Sequence, residues 1–223
     1  MEKIKINALL DLTQTDFADI FDGCEYPHEI LPLIKEYILK KGPMLGSDYT
    51  MIKENVWVGQ GTEIAETAFI KGPAIIGHDV EIRQSAFIRG NAVIGNNCVI
   101  GNSTEIKNSF LFNKVQTPHF NYVGDSVLGF HAHIGAGVIL SNVRSIPGNV
   151  KIHCEGETME TGLRKFSAIL GDNAEIGCNS VLNPGTIIGR NSVVYPLSCV
   201  RGFVPENSIF KGNGRIAEKE SKR

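Results

Sequence analysis

The sequence has no apolar run approaching the roughly 20 residues that cross a bilayer; Val138-Ile139-Leu140 is typical of its longest. No membrane span is expected. Neither sign of charge dominates, since 22 Lys and Arg stand against 24 Asp and Glu for a net charge of −2. A general attraction to nucleic acid is thereby excluded, and any anion site must be local. Met1-Glu2-Lys3-Ile4-Lys5 lacks the apolar core and small-residue cleavage site of a signal peptide, so a cytoplasmic location is expected. The five cysteines, Cys24, Cys98, Cys154, Cys178 and Cys199, include no C-x-x-C and no close pair of the kind zinc sites use. Reduced thiols serving mainly as core fillers are expected.

What is present is a ruler. Ile52, Val58, Ile64, Ile70, Ile76, Ile82, Ile88, Ile94, Ile100, Ile106 and Phe112 recur at a spacing of six. The series resumes out of phase at Leu128, Ile134, Leu140, Ile146 and Ile152, and again at Leu170, Ile176, Leu182, Ile188, Val194 and Val200. A period of six fits no helix; it suits short strands joined by tight turns, each sending one large apolar side chain inward. Three such strands close a triangular coil, and stacked coils pair their backbones at about 4.8 Å.

Residues 1–50 lack the ruler and are expected to be a helical cap over the open first coil, with one helix near Asp16 to Phe21 and another from Pro27 to Gly42. Residues 51–212 form the predicted β-helix, and residues 213–223 a charged tail. The ruler breaks over 113–127 and 142–167, which are expected to leave the coil as excursions, the second with a hairpin around Glu155-Gly156-Glu157. Lys53, Lys71, Arg89 and Lys107 each follow an inward Ile and lie 18 residues apart, which predicts one outer column of cations. Phosphate beside Arg89 and Lys107 would relieve their repulsion.

The hexads resemble the hexapeptide-repeat acyltransferase family, which implies a left-handed parallel β-helix. The resemblance sharpens at Gly101-Asn102-Ser103-Thr104-Glu105-Ile106-Lys107, Pro118-His119-Phe120-Asn121-Tyr122-Val123-Gly124-Asp125, Ile134-Gly135-Ala136-Gly137 and Gly162-Leu163-Arg164-Lys165-Phe166. These segments look like the acetyltransferase domain of bacterial and archaeal bifunctional enzymes that N-acetylate glucosamine 1-phosphate and then attach a nucleotide. The resemblance implies acetyl-CoA as co-substrate and an aminosugar 1-phosphate, of glucosamine or galactosamine, as acceptor. It makes His119 the general base, a role that suits an imidazole titrating near neutrality. Asn142 and Lys165 are implied beside it, with Arg89, Lys107, Tyr122 and His133 binding the acceptor. The Ala136 amide is implied for the thioester carbonyl, and Lys211 and Arg215 for the coenzyme phosphate. A homotrimer with sites shared between chains is also implied, and acyl transfer itself calls for no metal.

The chain departs from that pattern in three places. His133 replaces an asparagine of the bacterial enzymes, Val143 replaces a tyrosine, and residues 1–50 are too few for a nucleotidyltransferase domain. A separate nucleotidyltransferase partner is therefore implied. Two alternatives stand beside the enzyme reading: a non-catalytic trimeric scaffold or regulator that keeps the sugar-phosphate pocket, and a zinc enzyme of the gamma carbonic anhydrase kind using His119, His131 and His133.

Overall fold

The computed structural model describes residues 1–219. Three ladders run along a triangular solenoid, two of nine strands and one of seven, parallel except for one antiparallel edge strand in each nine-stranded ladder. Face I stacks Val56–Gly59, Ala74–Ile76, Ala92–Ile94, Ser109–Leu111, Val127–Leu128, Ala168–Leu170, Thr186–Ile188 and Phe203–Val204. Face II includes Glu81–Ile82, Val99–Asn102, Gln116–His119, His133–Ile134 and Glu175–Ile176, and face III includes Phe69–Ile70, Phe87–Ile88, Glu105–Lys107, Tyr122–Gly124, Ile139–Leu140, Val181–Leu182 and Cys199–Val200. Inward residues pair coil to coil, as in the buried series Ile88, Ile106, Val123, Leu140, Leu182 and Val200. Corners turn through left-handed residues such as Asp79, Asn97, Asn173, Asn179 and Asn191, whose φ values are 53° to 58°. Asn and Asp tolerate that region best among residues with a side chain.

The ruler's phase slips inside the ladder. Ser109 pairs with Ala92 and Leu111 with Ile94, so this coil has 17 residues instead of 18, and the next coil repeats the shortening, with Leu128 paired to Leu111. Leu111, five residues after Ile106, takes the inward place expected of Phe112. Phe110 and Phe112 point outward instead, where both rings pack on Phe21 at 5.3 and 5.8 Å. The expected excursion over 113–127 is accordingly regular coil: Gln116–His119 and Tyr122–Gly124 pair with strands on both sides. The second interruption does leave the ladder. Its hairpin joins Lys151–Cys154 to Glu157–Glu160 and lies against face I; Ile146 is exposed and Ile152 is buried there, so neither continues the inward series.

The N-terminal segment does not cap the first coil. That edge is occupied by Tyr49–Lys53, which runs antiparallel to Val56–Gly59. Lys53 therefore leaves the predicted cation column and sits 5.3 Å above the Phe69 ring. Residues 1–45 instead strap the outer side of face I. The reason lies in the outward residues of that face: Trp57, Ile75, Val93, Phe110, Val127, Ile169 and Ile187 pair in sequence and all are buried. Covering each large side chain contributes about 1.5–3 kcal/mol, and the strap supplies Ile4, Leu9, Phe17, Phe21, Ile30, Ile34 and Ile38 for that purpose.

Polar anchors fix its register. Asp172 accepts from the amides of Asp11 and Phe130 at 2.8 and 2.9 Å, and Asn96 donates to Asp16 at 2.7 Å. The expected 27–42 helix is divided into a 3-10 turn, Pro27–Ile30, and an α-helix, Ile34–Lys41. Pro32 between them has no N–H, and its ring would meet the carbonyl four residues back. Nearer the N-terminus, Ala18–Phe21 is a single 3-10 turn. In the expected tail, Ile216–Glu218 pairs antiparallel with Ser208–Phe210, and 220–223 lie outside the described residues.

His28 joins the strap to the insertion, its ring 5.6 Å from Phe166 and 5.9 Å from Tyr26. Burial holds its pKa below the ordinary 6.5. As pH falls through that unfolded-state value, the unfolded chain binds the proton first, so stability falls with pH. We expect the urea midpoint to drop between pH 7 and pH 5, and His28→Phe to remove part of that slope. Parallel curves for the two proteins would exclude this origin.

Candidate functional site

Two corners carry the chemistry. At the corner between faces II and III, Pro118, Gly135, Gly177, Tyr195 and Lys211 follow the inward residues of successive coils, so they form a column. His119 belongs to this corner and is exposed, and Ala136 lies one coil further on. The His119 carbonyl accepts from Gly137 N–H at 3.1 Å. Two features hold the histidine. Its amide donates to Oδ1 of buried Asn121, whose Nδ2 donates to the Gly135 carbonyl at 2.8 Å. In addition, Gly101 leaves room for the coil above it, since a Cβ there would sit 1.5 Å from the Pro118 carbonyl oxygen. The next residue, Phe120, turns the corner at φ 52° with its ring exposed. A bulky residue in the left-handed region is strained.

The second cluster occupies the opposite edge of face III, where it meets face I. Lys107 Nζ donates to both carboxylate oxygens of Asp125, at 3.0 and 2.8 Å. Asp125 is buried and also accepts from Asn108 and Asn142. Arg89 Nη1 donates to Glu105 at 2.8 Å. Tyr122 is half-buried on the same face; desolvation raises its pKa first, and the neighbouring Asp125 and Glu105 carboxylates add to the effect. The insertion leaves and rejoins the coil here, because Phe166 N–H donates to the Asn142 carbonyl and Ser167 N–H to that of Asp125. Exposed Lys165 is thereby brought beside Asn142.

The structure thus groups Arg89, Lys107, Tyr122, Asn142 and Lys165 at one edge of face III, and His119 with Ala136 at the other. Within one chain the two groups do not meet. Contrary to the expectation of an unpaired cation couple, Arg89 and Lys107 each already hold a carboxylate. Asp125, which organises the cluster, had no role in the sequence reading; its signal is the spacing of 18 from Lys107 and 17 to Asn142, one coil in each direction.

His133 lies elsewhere, outward on face II, with Nδ1 2.5 Å from Glu175. His131 turns the corner between faces I and II at φ 58°, so the three candidate zinc ligands diverge. Among the described residues no three His, Cys, Asp or Glu side chains converge as a metal site. Lys211 and Arg215 share one exposed turn, through a Lys211 N–H to Arg215 carbonyl bond of 2.8 Å, on the His119 corner. Not all cysteines are core fillers: Cys178 and Cys199 are exposed, whereas buried Cys98 has its thiol pushed up to about 12 by desolvation. Among the described residues no helix is long and apolar enough to cross a membrane.

Comparison with known proteins matches residues 167–202 to the bacterial transferase hexapeptide model of six repeats, and residues 70–159 to the GMPPB C-terminal domain. Residues 167–202 thus carry hexapeptide repeats. The chain is homologous to the C-terminal region of bifunctional GlmU proteins over about half its own length. The bifunctional sugar-1-phosphate nucleotidylyltransferase/acetyltransferase of Sulfurisphaera tokodaii is 34% identical over 49% of the chain and 27% of its own length. The bifunctional protein GlmU of Methanococcus aeolicus is 37% identical over 55% of the chain and 29% of its own. The chain thus spans less than a third of these relatives. Among solved structures, Arabidopsis UDP-N-acetylglucosamine acyltransferase superposes with a TM-score of 0.52 at 12% identity, over 74% of this chain and 65% of that one. The chain shares with this neighbour the left-handed β-helix fold.

Gly101 has a direct test. Gly101→Ala is expected to lower the thermal midpoint by several degrees, since the intruding carbonyl is backbone and must shift the His119 turn. An unchanged midpoint would show that the coil above yields without cost.

Proposed function

We propose that the protein is an acetyl-CoA-dependent N-acetyltransferase acting on an aminosugar 1-phosphate of the glucosamine or galactosamine kind. The observation that supports this most directly is the division of the site between the two edges of face III, with an unencumbered imidazole on one and a polar, cation-bearing cluster on the other. Face I is covered by the strap and face II projects Glu63, Glu81 and Glu175, whereas face III leaves Phe69 and Ile139 exposed and Phe87 half-exposed. In a threefold assembly with face III toward the axis, the His119 edge of one chain meets the Asp125 edge of the next. The site is then complete.

In this reading His119 takes the proton from the 2-amino group as its nitrogen attacks the thioester carbonyl. The Ala136 N–H meets the developing oxyanion, a stabilisation that is large when the donor is preorganised. Collapse breaks the carbon–sulfur bond, and the proton passes from His119 to the departing thiolate. From His119 to Lys211 the corner descends four coils, about 19 Å at 4.8 Å per coil, which suits an extended pantetheine arm with its phosphates at Lys211 and Arg215. Arg89 receives the sugar phosphate by exchanging Glu105 for a bidentate oxyanion, while Lys107, through Asp125, fixes Asn142.

Incubating the protein with acetyl-CoA and a panel of aminosugar 1-phosphates, and following thiol release, tests the reading; no release with any acceptor would leave the scaffold alternative. His119→Ala is expected to lower kcat at least ~100-fold with the thermal midpoint unchanged, because the ring is exposed. Arg89→Ala is expected chiefly to raise KM for the phosphorylated acceptor. An equal rise for the unphosphorylated aminosugar would argue against phosphate recognition.

A further inference from the structure

A further concentration of positive charge lies outside both clusters. A cavity of about 250 Å³ opens below Asn142, between the insertion and the coils that follow it. Arg144 enters it from the loop, Lys151 and His153 from the first strand of the hairpin, and Arg201 from the coil. None of the residues lining the cavity is acidic. Their existing partners leave much of this charge available. Arg144 Nη1 donates to the Asn149 carbonyl at 2.8 Å, Lys151 reaches exposed Glu160 outside the cavity, and His153 Nδ1 meets Thr158 Oγ1 at 3.0 Å. Among the described residues Arg201 forms no ion pair.

The size and spread of these donors select the ligand. Ser141, Asn183 and Arg201 follow the inward residues of successive face III strands, so the floor from Ser141 to Arg201 spans two coils, about 10 Å. The volume equals that of about eight waters at ~30 Å³ each. A single phosphate would leave most of this space to solvent, and its oxygens would not reach donors on loop, hairpin and coil together. A diphosphate reaches them, and Arg suits it through paired donors. At the mouth, exposed Val143 and Ile146 stand with Pro184 as an apolar wall, a surface for the flat ring of a nucleoside.

We propose that the cavity walled by Arg144, Lys151, His153 and Arg201 binds a nucleoside diphosphate group, at a site separate from the proposed acceptor position and, within one chain, from the His119 edge. The assignment does not rest on the acetyltransferase reading, because it concerns binding without turnover. Two sources carry this chemistry: a free or sugar-linked nucleoside diphosphate, and the ADP portion of coenzyme A. In the proposed threefold arrangement the neighbouring chain's His119 edge, with the coenzyme along it, faces this edge, so titration with each separates the two sources.

Binding of UDP, pyrophosphate and coenzyme A to the full chain by titration calorimetry, at low and moderate salt, tests the proposal. UDP is expected to bind more tightly than pyrophosphate, with affinity falling as salt rises. The double variant Arg144→Gln/Arg201→Gln is expected to weaken UDP at least tenfold while leaving the thermal midpoint and coenzyme A binding unchanged. Ile146→Asp, at an exposed position, is expected to weaken UDP but not pyrophosphate. Absence of UDP binding to the unaltered protein, or equal UDP affinity in the double variant, would overturn the site. An equal loss for coenzyme A would overturn its separation from the coenzyme.

Discussion

Everything in this molecule depends on coil-to-coil register. A parallel ladder accepts a strand only if the chain returns to the same three corners on every turn, with a left-handed residue available where it bends. A slip of one residue would invert every side chain on a face. The shortened coil at Asn108-Ser109 shows how the constraint is met. One residue is removed at the corner, before Ser109–Leu111 begins, so the strands themselves keep inward and outward positions aligned. Because of that register, Lys107, Asp125 and Asn142 are neighbours although they are separated by more than thirty positions in sequence. His119 is likewise stacked on Asn102 and its turn rests on Gly101.

The hexad period was readable because inward positions tolerate only apolar residues of suitable size, and this leaves a periodic mark. The slip was not readable. Phe110, Leu111 and Phe112 are all apolar, and a ruler based on hydrophobicity cannot choose among them when one face is buried on both sides. The strap creates that ambiguity: by covering face I it makes outward positions as apolar as inward ones. The same cause hid the true course of 113–127, where the inward residue of face II is Thr117, a polar side chain that counts against a hydrophobic ruler but whose hydroxyl is satisfied by the Val99 carbonyl at 3.4 Å. The 142–167 departure was legible in Arg144-Ser145 and Pro147-Gly148-Asn149, which fit neither face, although Ile146 keeps the spacing of six.

The site was legible in its residue types but not in its pairings. An exposed histidine beside a strained corner stands out by chemistry alone. That Arg89 and Lys107 each hold a carboxylate could not be seen, because Glu105 and Asp125 lie on different strands and only the ladder brings them to their partners. His133 was misplaced for a simpler reason: it shares a segment with Ala136, but it projects from the middle of a strand on face II while Ala136 lies at the corner. Three residues at this bend are enough to separate the proposed thioester position from a solvated ion pair.

The unequal treatment of the three faces is the last consequence of the ladder. Face II is rendered soluble by Glu63, Glu81 and Glu175, and face I by a segment that spends its own apolar residues on it. Face III is treated only in part: Phe69 and Phe87 stack at 5.8 Å and Ile139 is exposed beyond Tyr122, with Glu105, paired to Arg89, standing between Phe87 and Tyr122 in the same column. Its edges, however, are polar and hydrogen-bonded, from the Asn121 clamp to the Asp125 hub. An apolar strip framed by preorganised polar edges is a poor free surface and a good junction. The proposed threefold arrangement uses both properties at once, since burying the strip is what brings one chain's imidazole to its neighbour's carboxylate hub.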